Sequence, residues 1–115
     1  PDNAECRNNL AWILATSAWG PADPQEILKI AQRARELGGE QPVLLDTLGV
    51  AQANAGDFAA ARACAEQALA LTRLTGQEST DFCRNAAKRL RQYQLEKPWR
   101  EEEAAARILQ AYYDR

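Results

Sequence analysis

The chain contains no histidine and no methionine. Histidine is the usual general base, metal ligand and near-neutral pH switch. Its absence excludes a Ser-His-Asp triad, a His-ligated zinc site and a histidine-bound haem. Without a methionine the chain is expected to lack its translational start, and Pro1-Asp2-Asn3 reads as an excised beginning. Valine and isoleucine are also scarce, confined to Ile13, Ile27, Ile30, Val43, Val50 and Ile108, whereas alanine makes up nearly half of the 46% hydrophobic fraction. Strands draw on β-branched residues and alanine is the best helix former, so the balance points to an all-α protein. No apolar run approaches the roughly 20 residues of a membrane span, and no signal peptide is visible. No membrane contact is therefore expected, and the compartment is left open with the cytoplasm as the default.

Other patterns are missing too. Cys6, Cys64 and Cys83 are odd in number and form no C-x-x-C pair, which disfavours a disulfide framework or a zinc knuckle and suits packing thiols. There is no glycine-rich phosphate loop, since Gly38-Gly39 follows a helical stretch as a stop. Glu101-Glu102-Glu103 cannot converge on an ion, because successive residues of a helix point in different directions. The remaining acids show no pairing that would set two carboxylates to different pKa values. No catalytic residue, no metal site and no cofactor are expected.

What is present is helix punctuation. Asp2 with Glu5, and Thr75 with Glu78, have the capping-box spacing. Asp23-Pro24 and Pro42 mark helix starts, and Gly56-Asp57 is a stop followed by a cap. Between these marks apolar residues recur at three and four. The pattern predicts helices at about 3–17, 24–38, 42–55, 58–74, 77–95 and 100–113. The net charge of −2 is uneven: residues 1–81 carry six basic and eleven acidic side chains, residues 82–100 six basic and one acidic.

Helix pairs at a period in the thirties suggest a repeat. Leu48-Gly49, Gly56-Asp57-Phe58, Ala61 and Ala68-Leu69 resemble the tetratricopeptide repeat, with a unit over 42–75. Leu45, Gln52, Ala65 and Arg73 stand where that family usually has Trp, Tyr, an aromatic and Pro. Small residues at Gly49, Ala61 and Ala68 would let neighbouring helices approach closely. A first repeat over 4–41 fits with a lengthened turn at Thr16–Asp23, and Asn9-Leu10-Ala11-Trp12-Ile13-Leu14-Ala15-Thr16 is similar to a bacterial subgroup carrying such an insertion. Tyr93 to Glu101 is similar to the closing segment of that subgroup. The resemblance implies one domain, 1–115, folded as a right-handed superhelical solenoid of about six antiparallel helices. A third-repeat or capping helix would occupy 76–97 and a C-terminal helix 98–115, at the closing end of a longer protein.

The family binds partners on the concave face made by the first helix of each pair. By position that face would present Asn8, Trp12 and Thr16, then Asp46, Val50 and Asn54, then Arg84 and Lys88. Thr47 stands where a carboxylate clamp would need Asn, so a chaperone-tail clamp is not expected. The implied function is non-catalytic protein or peptide binding, with an acidic segment the better candidate and no nucleic acid, because the chain lacks a broad basic surface. Two alternatives stand beside it. The last helix, with Ile108, Leu109 and Tyr112, would cap the stack or make a homodimer, and the chain could instead be a regulatory appendage of an enzyme lying upstream.

Overall fold

The computed structural model describes residues 3–16, 23–76 and 81–99. Among the described residues there are five helices and no strand: α1 (Ala4–Thr16), α2 (Pro24–Gly38), α3 (Pro42–Asn54), α4 (Phe58–Leu74) and α5 (Asp81–Gln94). The protein is all-helical, as its alanine content predicts. The expected sixth helix, with Ile108, Leu109 and Tyr112, the acidic run 101–103 and the capping pair Thr75 with Glu78 fall wholly or partly outside the described residues.

Local chemistry accounts for the boundaries. Asp23 Oδ1 accepts the Gln25 N–H at 3.0 Å ahead of Pro24, and Asp57 Oδ1 accepts the Ala60 N–H at 3.1 Å. Both are side-chain caps that satisfy otherwise orphaned donors. Asn3 caps α1, its Oδ1 accepting from Glu5 N at 2.8 Å and Cys6 N at 3.4 Å, and Asp2, the expected capping partner of Glu5, lies outside the described residues. At the other end of α2 the stop is Gly39 alone, with φ 79° and ψ −158°, a backbone that a side chain would strain. Gly38 still belongs to the helix and is small for a different reason: a Cβ there would collide with Leu44 Cδ1 and press on the Ala4 methyl.

Each helix packs on the next, and α3 touches all four others. The odd-numbered helices also meet, α1 with α3 and α3 with α5, while α2 and α4 share no packing of comparable extent. The central place of α3 explains its sequence, since Leu44 through Ala51 are all buried and a one-sided stripe would not suffice. The core is three small clusters built largely on alanine. Ala11, Ala15, Ile27, Ala31, Leu48, Val50 and Ala51 form the first, Ala53, Ala61, Ala65 and Tyr93 the second, and Leu69, Cys83 and Ala86 the third. Trp99, beyond α5, packs against both the first and the second. Gly49 does lie at a close crossing, but a methyl placed there would make ordinary contacts with Ala61 O at 3.4 Å and Cys64 Cβ at 3.6 Å. The approach therefore depends more on Ala61 than on the glycine.

Two consequences can be measured. Cys6 is exposed, Cys83 is buried, and burial pushes the half-buried Cys64 thiol up from its ordinary pKa against a smaller lowering by Gln52. The thiolate is the reactive species, so a thiol reagent at neutral pH should modify one cysteine, Cys6, in the native protein and all three only in denaturant; rapid native labelling of Cys64 would contradict this burial. Tyr93 is 1% exposed and its hydroxyl has no hydrogen-bond partner among the described residues. Burial, then the nearby Asp46 charge, raises its pKa, so the folded state favours the neutral phenol. Tyr93→Phe removes an unsatisfied buried group and should gain about 1 kcal/mol in urea unfolding at pH 7. The wild-type stability tied to the raised pKa should fade as pH rises past the unfolded tyrosine value of about 10.

Candidate functional site

An open cleft of about 320 Å³ lies where the three odd-numbered helices meet. Its lining is Asn8, Asn9 and Trp12 from α1, Val43, Asp46 and Thr47 from α3, and Phe82, Asn85 and Arg89 from α5. Trp12 follows Asn8 and Asn9 by four and three residues, Asp46 and Thr47 follow Val43 by three and four, and Phe82, Asn85 and Arg89 are three and four apart, the spacings that keep side chains on one face.

The cleft is built on a buried ion pair. Arg89 Nε donates to Asp46 Oδ1 and its Nη2 to Asp46 Oδ2, both at 2.7 Å, and each side chain is 5% exposed. This fork-to-fork geometry is the strongest form of a charge-assisted hydrogen bond in proteins. The guanidinium carbon also lies 5.2 Å from the centre of the Trp12 ring and 5.5 Å from that of Trp99, within reach of a cation–π attraction. One arginine thus joins α5 to α3, to α1 and to the chain beyond α5. Its charge is already balanced by Asp46 before anything enters the cleft.

Asn8, Trp12 and Asp46 are three of the expected partner-binding residues, and they line the cleft. Asp46 does so as a member of the pair and not as a solvated groove acid. Asn54 is engaged elsewhere, with its Nδ2 donating to the carbonyl of Ala15, near the end of α1. Thr16 is buried, with its hydroxyl given back to the Trp12 carbonyl at 2.7 Å. Arg84 and Lys88 are exposed and do not line the cleft; Arg84 is ion-paired with Asp81, one turn back on its own helix. Arg84 and Lys88 therefore add no charge to this cleft, where α5 presents the next residue in each case, Asn85 and Arg89. A single residue step rotates a helix by about 100°. Among the described residues, no group of three or more cysteines and acids gathers where a metal ion could be held, and no helix is long and apolar enough to cross a membrane.

Arg89 is the residue that sequence reasoning missed, since it sits in a run of basic side chains and passes for one of a solvated face. The signal was its spacing. Arg89 falls three residues after Ala86 and four before Tyr93, both buried, so it stands on the apolar stripe of α5. Asp46 is likewise the lone acid in the apolar stretch Val43–Val50.

Asn8 has a different standing. It is 6% exposed, and its Oδ1 is buried with no hydrogen-bond partner among the described residues. Buried carboxamides are normally satisfied.

Removing one member of the ion pair strips the other, in a buried place, of two short charge-assisted hydrogen bonds. Arg89→Met or Asp46→Leu alone should each cost about 3–5 kcal/mol in urea unfolding, whereas the double variant should recover most of the loss. Additive losses in that cycle would mean that the two side chains do not act as a pair. In comparison with known proteins, no family model matches the chain, and no curated protein or solved structure matches it either.

Proposed function

We propose that the chain is a non-catalytic binding module of tetratricopeptide type, in which the first helix of each pair forms one wall of a groove for a segment of a partner protein. The observation that carries this reading is the parentage of the cleft. Every lining residue belongs to α1, α3 or α5, and none to α2 or α4. The packing pattern supports it too, with successive helices in contact and the odd-numbered ones meeting across the stack. A right-handed superhelical array of such pairs would produce that division of labour, one helix for the binding face and one for the outer layer. The sequence marks at Leu48-Gly49, Gly56-Asp57-Phe58 and Ala61 agree with this reading.

The chemistry of the lining favours a peptide. Asn8, Asn9 and Asn85 each offer a carboxamide that can both donate and accept, matching the groups of an extended backbone. Trp12, Val43 and Phe82 supply apolar contact for side chains at alternate positions. With Arg89 neutralised by Asp46, and Arg84 and Lys88 outside the cleft, the lining no longer favours an acidic segment. The homodimer alternative rests on Ile108, Leu109 and Tyr112, which lie outside the described residues, and nothing described speaks for it.

A displayed library of random twelve-residue peptides panned on the immobilised chain tests the reading. It should return peptides that bind in the micromolar range and lose at least about tenfold in affinity to Asn85→Ala and Phe82→Ala, with helicity unchanged by circular dichroism. No enrichment, or enriched peptides indifferent to both changes, would overturn it.

A further inference from the structure

A second hollow, of about 440 Å³, adjoins the cleft and shares Asn8, Asn9 and Val43 with it. It lies at the N-terminal ends of α1 and α3, where Glu5 and Gln41 also line it. Helix starts usually attract anions through their free N–H groups. Here most of those donors are spoken for. Asn3 accepts the N–H groups of Glu5 and Cys6, Pro42 has none to give, and those of Leu44 and Leu45 go to the Gln41 carbonyl.

The hollow is correspondingly rich in acceptors. Among the described residues Glu5 is its only charged lining residue, exposed and engaged in no ion pair there. Gln41 donates its Nε2 to the Gly38 carbonyl at 2.7 Å, which leaves its Oε1 as an acceptor. Asn8, buried between the two hollows, carries the unpartnered Oδ1. A buried acceptor without a donor costs free energy that an entering donor would return. A group that is both positively charged and a multiple donor satisfies all three residues at once.

We propose that this hollow holds the cationic end of a lysine or arginine side chain carried by the partner segment that fills the cleft. The assignment rests on the reading of the cleft as a peptide groove, and it gives the bound segment a polarity: a basic residue at the α1 and α3 N-termini, and an apolar one towards Trp12 and Phe82. Ammonium and guanidinium groups each bring several N–H donors and no acceptor, which is what Glu5, Asn8 and Gln41 require. Because Glu5 is exposed, its attraction is screened and should weaken with salt.

The test uses the full chain, labelled with ¹⁵N, and end-blocked hexapeptides that share a phenylalanine at one end and carry Lys, Arg, Gln or Glu at the other. The Lys and Arg peptides should bind about fivefold to tenfold more tightly than the Gln peptide, shift the resonances of Glu5, Asn8 and Gln41, and lose much of that preference in 1 M NaCl. Glu5→Gln should abolish the preference and leave the Gln peptide unaffected. Equal affinity for Lys and Gln peptides, or a preference that survives Glu5→Gln, sinks the cation assignment and leaves the cleft reading standing. Failure of every peptide to shift any cleft resonance overturns the cleft reading and this inference with it.

Discussion

The Asp46–Arg89 pair is the constraint on which the rest of the structure depends. A charge taken out of water costs several kcal/mol unless it is met by an opposite charge in good geometry, and Arg89 meets one with two hydrogen bonds of 2.7 Å. The requirement acts as a register lock. Turning α5 by one residue in either direction would withdraw the guanidinium from Asp46 and cost the buried carboxylate both of these hydrogen bonds. The same rotation decides everything else about α5. It directs Phe82 and Asn85 to the cleft, Cys83, Ala86 and Tyr93 to the core, and Arg84, Lys88 and Arg91 to solvent.

Such a lock suits a core that is otherwise poor in shape. Alanines interdigitate weakly compared with leucines or aromatics, and an alanine-lined contact tolerates sliding that a jigsaw of large side chains would forbid. In the second cluster Ala53, Ala61 and Ala65 surround one fully buried large residue, Tyr93, with Phe58, Leu90 and Trp99 packed on it from the half-buried margin. Specificity there comes from polar geometry more than from fitted volume. Trp12 and Trp99 add to it, since they cover the guanidinium with aromatic surface and so deepen the desolvation that makes the pair exacting.

The division between what could and could not be read from the sequence follows the range of each interaction. Helix ends were legible because caps are local: Asp23, Asp57, Pro24 and Pro42 act on neighbours within three residues, and α2, α3 and α4 begin where these residues predict. At α1 the described cap, Asn3, is equally local, acting on Glu5 and Cys6. That Asn8 and Trp12 share one face of α1 was also legible, from their spacing of four. The facing of α5 was not, because it is decided by a partner 43 positions away in the chain. A basic cluster reads as a solvated face until the single acid opposite it is known. Asn54 failed for the same reason, its partner lying 39 positions back.

That bond from Asn54 to the Ala15 carbonyl has a bearing on how the chain folds. The last carbonyls of a helix need donors that the helix itself cannot provide, and for α1 one of them comes from the far end of α3. The end of α1 is therefore finished by a residue of the next helix pair. A lone α1–α2 hairpin would lose that bond, so the order of the α1 terminus is coupled to the presence of α3.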